Sequence, residues 1–196
     1  LDDLKKSLKK EFNNDVKVKR GLKHKYLGMC LDFSVRNKCH ITQTKSIKDL
    51  VQDWNITKGR DTPARPNLFE VDDKAELLNY ADKKKFHRGV AQALYLAGRI
   101  RGDILCPIIF LTSRVQVPTV QDKTKLIHVL EYLNRSQELG LVLGGKEDGT
   151  ARLSVYCDAS YAVHEDMKSH LGMYITYGRG GIVIKSNKDK TMTRAT

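Results

Sequence analysis

Between Asp82 and Gly140 the apolar residues recur at helical spacing in three successive stretches, and on either side the period falls to two. That switch constrains the fold most, because it demands helices in the middle of the chain and strands towards both ends. Phe86, Val90, Ala93, Leu94 and Ala97 make the first helical stripe, ending near Gly98. Ile104 to Val115 is a second apolar run with Asp103 as its expected cap; Pro107 is tolerated in or beside the first turn, where amide donors are mostly unpaired. Thr119 with Asp122 resembles a capping box ahead of Leu126, Ile127, Leu130 and Leu133, and Gly140 is the expected stop.

The N-terminal flank opens on Leu1, Leu4, Leu8 and Phe12, an amphipathic helix that turns Lys5, Lys6, Lys9 and Lys10 to solvent and needs a partner surface. Val16 and Val18 alternate with polar residues. Tyr26 to Phe33 and Cys39 to Thr42, on either side of a turn at Arg36-Asn37, then predict a β-hairpin. Thr44 is the expected cap of a helix bearing Ile47, Leu50, Val51 and Trp54, which the chain leaves near Gly59. Pro63 and Pro66, among Asp61, Glu70, Asp72 and Asp73, make residues 60–80 a connector. After a glycine-rich turn at 144–149 come strands over 151–158, 170–177 and 181–185, whose apolar face lacks a covering helix.

The 196 residues include 35 Lys and Arg against 23 Asp and Glu, a surplus of +12 that must lie mostly on the surface and points to a polyanionic partner. It is concentrated: residues 1–60 carry 15 basic and 7 acidic side chains, whereas 61–150 carry 13 and 12. No run approaches the roughly 20 apolar residues of a bilayer span, so no membrane partner is expected. Cys30, Cys39, Cys106 and Cys157 form no CxxC pair, which favours reduced thiols and an intracellular setting, cytoplasmic or nuclear. The start at Leu1 reads as an excerpt of a longer chain.

Two features invite chemistry. Lys17, Lys19, Arg20, Lys23 and Lys25 cluster beside the hairpin, as a salt-sensitive contact to nucleic-acid phosphates or as a solvated lysine face. Leu153, Val155 and Cys157 alternate with Ser154, Tyr156 and Asp158, which sets the Asp158 carboxylate at the end of a half-buried strand, as a metal or catalytic ligand or as an Asx-turn or cap residue. Asp2-Asp3 read as first-turn helix acids, His164, Glu165 and Asp166 as a solvated loop, and Cys39-His40 lack zinc-spaced partners.

The order of short phrases along nearly the whole chain resembles the Pol polyprotein of copia-type LTR retrotransposons. Leu4-Lys5-Lys6-Ser7-Leu8-Lys9-Lys10-Glu11-Phe12 looks like the helix after the reverse transcriptase active site, and His24-Lys25-Tyr26-Leu27-Gly28-Met29 is similar to the YFLGI strand. Ile41-Thr42-Gln43-Thr44-Lys45-Ser46-Ile47 resembles LSQxKYI; Phe86-His87-Arg88-Gly89-Val90 with Leu94-Tyr95-Leu96-Ala97 resembles YRSAVGSLMYLA; Arg101-Gly102-Asp103-Ile104 resembles TRPDI. Leu111-Thr112-Ser113-Arg114 and Val129-Leu130-Glu131-Tyr132-Leu133 match two further helices. Tyr156-Cys157-Asp158-Ala159-Ser160-Tyr161-Ala162, Lys168-Ser169-His170-Leu171-Gly172 and Gly181-Ile182-Val183-Ile184-Lys185-Ser186 look like YSDADWA, KSTSGY and ISWKSKK of an RNase H domain.

The resemblance implies an α+β chain in three parts. Residues 1–60 are expected to be the end of a reverse transcriptase palm with a primer-grip-like hairpin, 61–142 a linker and helical thumb or connection region, and 143–196 a truncated RNase H-like α/β unit of three strands. The parent activities are RNA-directed DNA synthesis and RNA-strand hydrolysis. The primer-grip role falls on Tyr26, Leu27, Gly28 and Met29 together with Lys17, Lys19, Arg20, Lys23 and Lys25, and the partners implied are an RNA/DNA hybrid or template-primer duplex and the rest of the polyprotein. Asp158 becomes the first RNase H carboxylate, a ligand to the Mg²⁺ ions of the parent enzyme. The family's second carboxylate follows the stretch that Met192-Thr193-Arg194-Ala195-Thr196 resembles, and YVDD precedes the helix that holds Asp2-Asp3; neither lies in this sequence. The expectation is a chain that contacts duplex without a complete active site and holds no Mg²⁺ stably. The alternative is a decayed or co-opted retroelement remnant serving as an interaction module, with the apolar Ile104 to Leu111 helix docking a protein.

Overall fold

A computed structural model describes residues 2–15, 17–145 and 150–190. Leu1, Val16, most of the glycine-rich turn and the Met192 to Thr196 stretch therefore lie outside the described residues. Helix α1 (Asp2–Phe12) is followed by strands β1 (Lys23–Tyr26), β2 (Met29–Asp32) and β3 (Lys38–Thr42). Helices α2 (Thr44–Asp53), α3 (Tyr80–Arg99), α4 (Leu105–Arg114) and α5 (Val120–Arg135) come next, a 3₁₀ turn at Gly102–Ile104 leading into α4. Strands β4 (Leu141–Gly144), β5 (Leu153–Ser160), β6 (His170–Tyr177) and β7 (Gly181–Lys188) complete the described residues. Two antiparallel sheets result, ordered β1-β2-β3-β4 and β5-β6-β7.

The core is the helical middle. Ile47, Leu50 and Val51 of α2, with Trp54 at its end, pack with Phe86, Val90 and Ala93, Ile104, Ile108 and Leu111, and Leu126, Leu130 and Leu133. The expected stripes are thus buried, with Leu96 and Val129 added and Leu94 and Ile127 only partly covered. Helices α2 and α3 approach closely because Gly89 has no side chain: a Cβ there would stand 2.7 Å from the Trp54 ring. Helix α1 keeps its length, yet none of its residues is buried, so its Leu4 and Phe12 stripe faces solvent among the described residues.

Three helix ends depart from expectation. Gln43, not Thr44, precedes α2, and the Thr44 hydroxyl donates instead to Glu138. The chain leaves α2 through Asn55 in the left-handed region (φ 51°), well before Gly59; asparagine tolerates that conformation and ends the helix as glycine does. Asp103 does not cap α4. Its carboxylate is turned inward to Arg101, whose guanidinium is wholly buried and also donates to the carbonyl (2.9 Å) and hydroxyl (2.7 Å) of Ser136. Tyr132 donates to the same carboxylate at 2.7 Å, and its ring lies beside the guanidinium. Helix α5 consequently ends at Arg135, with Ser136 as its last cap, rather than at Gly140. The Thr119–Asp122 capping box is present as expected, and Asn79 caps α3 by accepting from the Asp82 amide at 2.9 Å.

Strand β4 is foreshadowed by no pattern in the sequence; it pairs with β3 from Lys38↔Gly144 to Ile41↔Leu141 and so closes the first sheet across the whole helical region. The second sheet is a meander that rests on α4 through β7, with Ile184 against the core. Gly102 permits that approach, since a Cβ there would meet Ile184 at 2.3 Å. Beside it, His164 and His170 are buried, not solvated. Their rings share a hydrogen bond, Nε2 to Nδ1 at 3.0 Å, His170 Nε2 reaches the Ser186 hydroxyl at 2.7 Å, and Phe69 packs on both. The neighbouring Asp166 stays at the surface with Lys188 and Lys168.

Removing Arg101 strands Asp103 and the Ser136 groups, so Arg101→Ala is expected to lower stability by about 3–5 kcal/mol in urea unfolding. Arg101→Lys should recover little of that, because an ammonium does not present a planar fork; a wild-type midpoint for either variant contradicts the role given to Arg101. Burial holds the His164, His170 and His128 imidazoles below their ordinary range, helped at His164 by Lys188 and at His170 by His164. The unfolded chain protonates these groups from about pH 6.5 downward, whereas the folded chain resists. Their contribution is therefore full above about pH 6.5 and is lost as pH falls towards the folded values. Thermal midpoints measured at pH 7.5 and 5.5 should show the drop, and a flat profile contradicts it.

Candidate nucleic-acid interface

The segment expected as one long strand, Tyr26 to Phe33, is broken by a two-residue turn at Leu27-Gly28, between the facing pair Tyr26↔Met29. Both turn residues are left-handed, Leu27 at φ 47° and Gly28 at φ 74°, the mirror-image turn whose twist suits a tight hairpin. For a leucine this conformation costs roughly 1–2 kcal/mol. The Leu27 carbonyl accepts a hydrogen bond from the Tyr95 hydroxyl of α3 at 2.6 Å, which ties the hairpin tip to the helical core. Under the tip lies Gln43, buried, with neither amide atom partnered among the described residues.

Register assigns the faces of the four-stranded sheet. Lys23, Lys25, Asp32, Lys38 and His40 share one side, while Ile41 on the other joins the interior. Lys17, Lys19 and Arg20 fall in the exposed segment before β1, where Arg20 lies 3.6 Å from Asp2. Lys23 is partly neutralised, for its ammonium is 3.0 Å from Asp32. Hydrogen bonds from Ser34 and from Lys23 bring the Asp32 carboxyl down to about 2, and Asp32 in turn raises Lys23. Tyr26, Leu27 and Gly28 are exposed at the tip, and Met29 is half-buried. The arrangement is a positively charged, solvent-facing ribbon mounted on a fixed helix, a surface that attracts negative charge.

Asp158 stands elsewhere, opposite Gly172 on the meander. Strand β5 is exposed along nearly its whole length rather than half-buried, because it is the sheet edge farthest from α4, and Asp158 is solvent-facing with its carboxylate accepting from the Ala159 amide at 2.9 Å. A groove of about 300 Å³ passes it, lined also by Gly102, Cys106, Tyr156, Lys185 and Ser186, with Asp158 its one carboxylate among the described residues. Burial raises the Cys106 thiol there. No three His, Cys, Asp or Glu side chains gather as a metal site among the described residues. One carboxylate beside a lysine does not match the oxygen-rich donor set that Mg²⁺ takes. Neither Cys39-His40 nor Asp2-Asp3 joins such a group.

Neither a family model nor a solved structure matches the chain. It is 30% identical over 99 residues to the Saccharomyces cerevisiae protein YCL074W, assigned to transposon Ty5-1. The likeness is to a transposon protein. It takes in half of this chain and 32% of that protein, so the chain spans about a third of its relative's length. No helix among the described residues is long and apolar enough to cross a membrane.

Sequence reasoning gave Tyr95, Lys38 and Gln43 no part in this surface. Tyr95 alone left a signal, as an aromatic off the apolar stripe of α3. Tyr95→Phe removes only the hydroxyl, so it is expected to cost about 0.5–1.5 kcal/mol locally. Faster amide hydrogen exchange in β1 and β2, with the α4 and α5 amides unchanged, is the readout; unaltered exchange at the tip shows that the hydroxyl holds nothing.

Proposed function

We propose that this chain is a segment of a copia-type reverse transcriptase and RNase H polyprotein whose basic sheet face and hairpin tip hold an RNA/DNA hybrid or template-primer duplex by its backbone. The observation that carries the reading is the hairpin Lys23 to Asp32, with lysines along one face and its tip fastened to α3 through Tyr95. A clamp on a duplex needs positive charge on a part that does not give way, and this hairpin has both. The phrase order along the chain and the likeness to the Ty5-1 protein support a retroelement source. In this reading the contact is positional and blind to base sequence.

Binding of a fluorescent RNA/DNA hybrid, followed by anisotropy from 50 to 300 mM salt, tests it. Affinity should fall steeply with salt, and Lys19→Ala with Lys25→Ala should flatten the log–log slope by about two units, one for each phosphate left without its lysine. The Tyr95→Phe variant should weaken binding without changing that slope. A hybrid that does not bind, or binds with no salt dependence, overturns the proposal.

A further inference from the structure

The seam between the meander and the helical body is part apolar and part polar. Its apolar part is Ile184, packed on the core beside Gly102. The rest is a row of buried polar groups, His164, His170 and Ser186, walled by Phe69 of the connector and Phe110 of α4. Register puts His170, Ser186 and Ile184 on one face of the sheet, the face that meets α4.

Hydrogen bonds run along this row. Ser186 Oγ lies 2.7 Å from His170 Nε2, and His170 Nδ1 lies 3.0 Å from His164 Nε2. Whichever way the row is polarised, the contact between the two rings holds one proton, because one nitrogen donates and the other accepts. Two imidazolium rings would each present an N–H there, donor against donor. A single added proton keeps the bond but places a full charge inside the seam, which is costly unless an anion meets it.

The groups around the pair do not supply that anion. The loop that carries His164 brings exposed Glu165 and Asp166, and Asp166 is already 2.7 Å from Lys188 and 3.4 Å from Lys168. Strand β7 sets Lys188 directly opposite His170. Helix α4 faces the rings with Phe110 and with the Cys106 thiol, 3.8 Å from His170 Nε2, while Lys125 of α5 lies 4.7 Å from the Phe110 ring centre. The connector contributes Phe69, followed by exposed Glu70; β5 contributes Ser160 opposite His170, with exposed Asp158 two residues before it. Burial, and after it Lys188, disfavours the charged form of His164 more than Asp166 restores it; burial and His164 do the same at His170.

We infer that the His164–His170 pair is a proton-operated latch: neutral, it holds the meander against α4 and Phe69, and protonated, it releases the meander while the helical core stays closed. The fastening of that core through Arg101, Asp103 and Ser136 contains no imidazole. The other buried imidazole, His128, bonds to the connector at Thr62 rather than to the meander. The latch does not involve the hairpin, so it stands or falls apart from the duplex contact proposed above.

NMR of the full chain labelled at isoleucine δ1 methyls, with saturation transfer to detect a minor state, tests this between pH 7.5 and 5.5. Ile184 reports the seam; Ile104 and Ile108 report the core. A released state should appear at Ile184 as pH falls, and its ratio to the docked state should rise about tenfold for each imidazole, up to about a hundredfold for the pair. Ile104 and Ile108 should keep a single state throughout. His164→Phe combined with His170→Gln removes both titrating rings and should abolish the pH response. Should that variant not fold, the surface change Lys188→Gln decides alone: it removes the opposing cation and frees Asp166, so it should shrink the response several-fold. The inference is overturned if Ile184 shows no second state at pH 5.5, if Ile104 and Ile108 change together with it, if the double variant responds to pH as the parent does, or if Lys188→Gln leaves the response undiminished.

Discussion

A guanidinium with no solvent exposure sits where three parts of the chain meet, and their arrangement follows from how it is satisfied. Arg101 spends its donors on Asp103 and on both Ser136 oxygens. Burying such a cation is costly unless it is paired and hydrogen-bonded; Asp103 meets the charge, and a slip of α5 by one turn would leave unmet the donors now on Ser136. The same interaction sets the start of α4 and, one residue on, brings Gly102 against Ile184 of the meander. Helix packing and sheet docking are therefore coupled through one side chain.

That rigidity explains why the hairpin is usable as a binding surface. A two-stranded ribbon of four residues a side has little stability of its own, and its leucine turn is strained. Here it is held from two directions: Tyr95 fixes the tip, and β3 with β4 supports the other edge. The lysines consequently lie at set spacings on a surface backed by the core, whereas those before β1 sit on an irregular segment.

Much of this is readable from residue patterns. The helical stripes, the Thr119 capping box and the three strands of the meander coincide with their predicted places because each depends on near neighbours in the chain. What escapes depends on distant partners or on one residue in an uncommon conformation. Leu27 has no propensity for a left-handed turn; only the Tyr95 hydroxyl and the pairing of β1 with β2 make it tolerable. Asn55 ends α2 ahead of the more obvious Gly59. His164 has the look of a loop residue, but Phe69, far off in sequence, covers it. Asp103 has the position of a cap, and Arg101 claims it. Strand β4 is four residues long, and its partner lies about a hundred residues earlier, so no local pattern announces it. The basic cluster is visible as composition, but its division between a mounted face and an irregular segment is not.

The pairing of β3 with β4 has a consequence for how the molecule comes into being. The first sheet encloses all four core helices as a loop between two of its own strands, so a growing chain cannot finish it until residue 144 has emerged. By then the helices have been made, and Arg101 and Ser136 are both available to close the core. The lysine-bearing surface is thus among the last structures to mature, and a nascent chain offers polyanions a finished face only after the body that supports it has set.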